Sequence, residues 1–132
     1  MSNAVSYDIA THLAANAFGT VGTDLFGMAW GKGVDAQTLV MDSAGFESDQ
    51  KLEYEKPGFQ ILVRGERNES AKTVYDSARA IYIFLINVAD LVTINAVDYL
   101  GFEPQSNIAP LGYDENERFI YSMNFYTYRN PE

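Results

Sequence analysis

Near the C-terminus, Phe119, Tyr121, Met123 and Phe125 alternate with Ile120, Ser122, Asn124 and Tyr126. A period of two sustained over that length reads as a strand with one buried face. This strand constrains the rest of the chain, because a sheet face made of large apolar side chains has to be covered by another layer. The cover is legible upstream. Val74, Ala78, Ile81, Leu85 and Val88 recur at three- and four-residue spacing, which predicts an amphipathic helix from about Asn68 or Ser70 to Val88. Val5, Ile9, Leu13 and Ala17 form a second such stripe. They predict a first helix over roughly Asn3 to Phe18, with Ser6 available to cap it and Gly19 to stop it.

Three further strands complete the layer. Residues Ala36 to Asp42 alternate with Leu39 and Met41 on one face, and Phe59, Ile61 and Val63 alternate with Gln60, Leu62 and Arg64 up to Gly65. These two are expected to form an antiparallel hairpin. Thr93 to Glu103 reads as a third strand, separated from the closing one, Phe119 to Arg129, by the turn-rich stretch Pro104 to Glu117. The glycines from Gly19 to Gly33 enclose Leu25, Phe26 and Trp30, the pattern of a loop that drops apolar anchors onto a core. Ser43 to Pro57 carries Glu47, Asp49, Glu53 and Glu55 with little apolar content and is expected to be a long, solvated, mobile connection. The expected fold is α+β: a single antiparallel four-stranded sheet covered by two main helices on one side. The element order is helix, strand, strand, helix, strand, strand. At 132 residues the chain, 1–132, reads as a single domain.

Composition narrows the chemistry. With no cysteine, disulfides, thiolate nucleophiles and Cys-type zinc sites are excluded. A net charge of −9 argues against a surface built to neutralise phosphates, although an acidic wall suits a passage that DNA crosses without sticking. The most apolar run, Ile81 to Val88, is under half of a membrane span and leads to Asp90, so no crossing is expected. Met1 to Tyr7 has neither the basic segment nor the apolar run of a secretory signal, and synthesis in the cytoplasm is expected.

Candidate catalytic groups are few. His12, the only histidine, follows Asp8 by one helical turn, which brings an imidazole and a carboxylate together without nominating a nucleophile. Glu47, Asp49, Glu53 and Glu55, like Asp114, Glu115 and Glu117, lie in segments with nothing to desolvate one acid, so solvated faces are expected in place of an acid/base pair. Asp114 and Asn116 fail as a calcium loop because Arg118 occupies the next alternate position. The glycines of residues 19–33 follow a helix and lack the Ser or Thr of a phosphate loop. The expectation is a chain with no catalytic residue, no metal and no cofactor, and no enzymatic role.

More informative are apolar side chains on faces that should be wet. On the second helix a rotation of about 100° per residue puts Ile83 beside Lys72, Asp76 and Arg79, opposite the buried stripe, with Ile86 on its flank. On the last strand, Ile120, Tyr126 and Tyr128 share the face away from the core. Such surfaces fit a repeated protein contact.

Taken in order, several segments resemble one family. The first helix ends in Ala17, Phe18, Gly19, Thr20 and is followed by Gly22 and Phe26, and a strand then closes on Asp42, Ser43, Ala44, Gly45. Pro57 to Gly65 leads into a helix containing Ala80, Ile81, Tyr82, and Pro110, Leu111, Gly112, Tyr113, Asp114 precede Arg118 and a strand with Ser122, Met123, Asn124, Phe125. This series resembles the small tail terminator or minor capsid proteins of long-tailed, non-contractile bacteriophages. It departs from them at Gly27 to Asp35, where Met28, Ala29, Trp30, Gly31, Lys32, Gly33 replace a proline-containing turn.

The resemblance implies a homo-oligomeric ring of six subunits at the head-proximal end of the tail in the virion. Such a ring halts tube polymerisation, touches the tail tube protein and the head–tail connector, and lets DNA pass through its lumen without specific binding. Arg79, Ile83, Ile86, Ile120, Tyr126 and Tyr128 are then the expected subunit interface. Glu47, Asp49, Glu53 and Glu55 are expected to contact tube or connector or to line the lumen. A neck or head-completion protein would share size and symmetry, and a small ligand-binding regulatory domain is the reading from a different class.

Overall fold

The computed structural model describes residues 4–46, 55–88 and 91–129. The elements run α1 (Val5–Ala15), β1 (Leu25–Gly27), β2 (Gln37–Phe46), β3 (Lys56–Arg67), α2 (Ala71–Ile86), β4 (Leu91–Ile94), β5 (Val97–Pro104), β6 (Ala109–Tyr113) and β7 (Arg118–Arg129). The fold is α+β, but the sheet is not the expected four-stranded antiparallel one. It has seven strands in the order β1-β2-β3-β7-β5-β4, with β6 paired to β7, and it is mixed because β1 runs parallel to β2.

Each extra strand hides from periodicity for a physical reason. β1 is three residues long, too short to alternate. β6 contains Pro110 and Gly112, which read as turn residues but are tolerated where a strand pairs on one side and bulges, as here between Pro110 and Gly112. β4 and β5 were expected as one strand, Thr93 to Glu103. They are a hairpin turned at Asn95 and Ala96, with φ of 50° and 64°, the two-residue turn normally written Asn-Gly. Alanine in the second position masks the signal and strains the backbone. Ala96→Gly is therefore expected to raise stability by up to about 1 kcal/mol, read as a higher urea midpoint at unchanged slope.

Both helices pack on one face. Val5, Ile9 and Leu13 of α1 and Val74, Ala78, Ile81 and Leu85 of α2 share one buried cluster with Val40, Phe59, Ile61, Val63, Met123 and Phe125. At its centre β3 pairs with β7 so that Phe59 lies opposite Phe125, their rings stacked 5.4 Å apart. The sheet curls: α1 touches β1 at one end of the strand order and β4 at the other.

Several expected boundaries move. α1 stops at Ala15, and Ala17, with φ 69°, lies beyond its end. Ser6 does not cap α1 through its side chain. It is buried, and its amide and hydroxyl both donate to the Asp42 carboxylate at 2.9 Å, so β2 supplies the anion at the helix N-terminus. Ser70 does cap α2, accepting from the Thr73 amide. Gly65 does not end β3. It lies under α2, where an added Cβ would stand 2.4 Å from Val74 Cγ2, so glycine lets helix and strand approach.

Candidate functional site

The Gly-rich segment after β1 crosses the outer face of the sheet, which is how a parallel neighbour can join β2. Phe26 lies on Gly31, where a Cβ would meet the ring at 2.0 Å. Gln37 donates to the carbonyls of Gly31 and Val34 and accepts from the Gly31 amide. Arg64, 7% exposed, donates to the carbonyl of Asp35 at 2.8 Å, and its guanidinium sits 4.3 Å from the centre of the Trp30 ring. Buried anchors were expected here; the pinning by Gln37 and Arg64 was not.

At the same end of the sheet Arg118 bridges Asp35 at 3.1 Å and Asp114 at 2.8 Å. Burial opposes ionisation of Asp114. The amides of Arg118 and Asn116 and the Arg118 guanidinium outweigh it and hold the carboxyl below its usual range. Ile120 borders this cluster together with Trp30 and Arg64, and is half-buried. Farther along the same face Tyr126 and Tyr128 share the Lys56 ammonium, 4.2 and 4.9 Å from their ring centres. The three outward residues of β7 thus fall into two groups, one beside the anchored loop and one around Lys56.

On α2, Ile83 and Ile86 are each 40% exposed and Arg79 is exposed, its guanidinium 5.5 Å from the Tyr82 ring. Phe84 turns toward α1, against His12 and Phe18. The acidic residues Glu47, Asp49 and Glu53 lie outside the described residues. Glu55 is not part of a solvated connection. It is half-buried, its backbone bridges Arg129 and its carboxylate pairs with the Arg129 guanidinium.

Asp8 and His12 do not form the dyad that their spacing allows. Asp8 is fully buried and accepts from Asn95 Nδ2 at 2.8 Å and from the Tyr99 hydroxyl, while Arg129 lies 4.0 Å away. Burial, reinforced by the Asp8 carboxylate, pushes the Tyr99 phenol far above its ordinary value. His12 instead faces Phe84 and Phe102, with ring centres at 5.3 and 6.2 Å. Its Nε2 is, among the described residues, the one buried side-chain polar atom without a hydrogen-bond partner.

Desolvation lowers the His12 pKa below 6.5. The unfolded chain takes up a proton near 6.5 and the folded chain only at lower pH. Stability is therefore full above about 6.5 and falls as pH drops through the window below it. The urea midpoint of the native chain is expected to fall from about pH 7.5 to 5.5 by more than that of His12→Phe; equal slopes would remove this role.

A cleft of 560 Å³ opens between the end of α1 and the first half of α2. Thr38, Val63 and Gly65 line it, with Asp24, Glu69 and Ser77 beside them. His12, whose Nε2 is the one unpartnered buried side-chain polar atom among the described residues, does not line it. No group of three metal-ligating side chains occurs among the described residues.

One surface escaped the periodicity altogether. Phe119 and Tyr121 were expected in the core with Met123 and Phe125, but both are half-buried. They continue a chain of rings, Tyr75 to Tyr121 at 5.5 Å, Tyr121 to Phe119 at 4.9 Å and Phe119 to Tyr113 at 4.8 Å. Tyr113 and Leu111 on β6 are 57% and 58% exposed. The signal that could have found this patch is length: a strand of 12 residues carries more inward positions than two helices can cover.

A protein-family model described as bacteriophage tail terminator protein matches residues 12–130. No curated protein sequence matches the chain.

Proposed function

The chain belongs to the bacteriophage tail terminator family, and on that premise we propose that it is the subunit of a six-membered ring that caps the tail tube. Membership in this family implies a structural, non-enzymatic role and a place in the virion tail. The finer reading is geometric. The ring sits on the head-proximal end of the completed tube, stops further polymerisation, and offers its opposite face to the head connector.

The observation that carries it is the family match, which runs from the last turn of α1 through α2 to the closing strand. The exposed Ile83 and Ile86 support it, since Arg79, Ile83 and Ile86 with Ile120, Tyr126 and Tyr128 supply apolar and aromatic surface for contacts repeated around a ring. The acids Glu47, Asp49 and Glu53 between β2 and β3 are assigned to the tube or connector contact, or to the lumen, where like charge lets DNA pass. Glu55 pairs with Arg129.

Electron microscopy of a lysate lacking the gene tests the function. Overlong or irregular tails without heads are the expected result. Free tails of normal length would move the chain to the neck instead.

A further inference from the structure

We infer that the cleft between α1 and α2 receives a lysine side chain of a different tail protein, its ammonium taken by Asp24, Glu69 and the Thr38 hydroxyl. The inference rests on the place in the tail that the family implies, and adds the means by which a partner is held. Thr38 and Val63 are cross-strand neighbours on the helix-covered face of β2 and β3, and both line the cleft. Thr38 is 8% exposed. Its hydroxyl makes no hydrogen bond among the described residues, yet it is not sealed in as the His12 nitrogen is, so it opens on the cleft. A polar group so deep and still unspent points to a ligand that completes it.

Carboxylates flank that hydroxyl. Asp24 adjoins it through the backbone, since its carbonyl accepts from the Thr38 amide at 2.8 Å. Glu69 lies over Gly65, two positions along β3 from Val63, where an added Cβ would stand 2.6 Å from Glu69 Oε1. Each carboxylate spends one oxygen on a backbone amide, that of Thr20 for Asp24 and that of Glu66 for Glu69. The other oxygen has no partner among the described residues. Glu66 adds a further acid to the lining, whereas Arg64 turns its guanidinium to the opposite face, against Trp30 and the Asp35 carbonyl. Acids and a hydroxyl above the apolar Val63 and Ile81 fit a group that is cationic at its tip, rich in N–H donors and hydrocarbon along its stem. Lysine has all of these. Ion pairs with exposed carboxylates hold little by themselves, so the amine belongs to a protein whose wider contact keeps it there. A second copy is a poor source, because the chain carries 18 Asp and Glu against 9 Lys and Arg and brings more repulsion than attraction.

Purified tails treated with a water-soluble carbodiimide provide the test, because this reagent joins a carboxylate to an amine only where the two touch. The expected product is an amide between Asp24, Glu66 or Glu69 and a lysine of a different tail protein, identified by mass spectrometry. The exposed Lys72–Asp76 pair, at 2.9 Å, is the internal control. Thr38→Val keeps the side-chain shape and is expected to cut the yield of that amide at least threefold at unchanged thermal unfolding. Glu66→Gln combined with Glu69→Gln is expected to lower infectious particles at least tenfold. Coupling of Lys72 to Asp76 with no amide from the cleft, or full infectivity of the double variant, would overturn the docking and leave the place in the tail intact. An amide to a lysine of a second copy would also overturn it, as would stabilisation of the isolated chain by cadaverine in place of the cross-link, which assigns the cleft to a free amine. Tails that contain no copy of this chain would overturn its place in the tail and the docking together.

Discussion

Asp8→Ala is expected to lower the free energy of unfolding by about 3–5 kcal/mol, the loss of two buried hydrogen bonds to a charged acceptor. Asp8 ties four elements together. It is a residue of α1, it accepts from Asn95 in the β4–β5 turn and from Tyr99 on β5, and it lies near Arg129 on β7. Arg129 in turn holds Glu55 just before β3. Removing the carboxylate leaves a guanidinium, an amide and a phenol facing one another around a void, with Asp8 itself fully buried in the native chain. Asp8→Asn keeps the shape and one acceptor, and should lose less. Urea unfolding reads both, as a shift in midpoint at unchanged slope. A loss below about 1 kcal/mol for the alanine variant would mean that the network contributes little.

The second large effect is on assembly and leaves the fold alone. Ile83 is 40% exposed on the side of α2 away from Val74, Ala78, Ile81 and Leu85, so Ile83→Glu should change the stability of the monomer by no more than about 0.5 kcal/mol. In the proposed ring each contact loses the burial of a branched side chain, about 1.5–3 kcal/mol. Each also acquires a carboxylate with no partner inside an apolar contact. Summed over six proposed contacts this amounts to roughly 10 kcal/mol or more, enough to abolish the ring. The expected readout is loss of infectious particles by orders of magnitude with unchanged thermal unfolding of the isolated chain. Full infectivity would place Ile83 outside every functional contact.

The two helices and the central strands were legible because their periodicities are long and uninterrupted. Val74, Ala78, Ile81 and Leu85 are buried as their spacing requires, and Ser70 caps the helix that they define. What escaped was local chemistry that imitates something else. Asn95-Ala96 performs an Asn-Gly turn without glycine, Pro110 and Gly112 sit inside a strand, and Ser6 binds a distant Asp42 where a local cap was expected.

The candidate surfaces divide the same way. Exposure of Ile83 follows from one helical wheel. The aromatic patch from Tyr75 to Tyr113 depends on where α2 ends over a sheet wider than the four expected strands, which no single segment records. The anchoring of Trp30 and Asp35 by Arg64 and Arg118 is likewise long-range, joining residues about thirty to eighty positions apart. Asp8 and His12 show the converse. Neighbours by helical spacing, they are drawn apart because Tyr99 and Asn95 offer the carboxylate donors while Phe84 and Phe102 hold the ring.

The central claim is a ring of this chain at one end of the tail. Cryo-electron microscopy of purified tails, with density at the head-proximal end of the tube resolved well enough to place α2 against β7, tests it most directly. A single six-fold ring of this fold stacked on the last tube layer is the predicted result. Copies distributed along the tube, or a terminal ring built from a different fold, would contradict it.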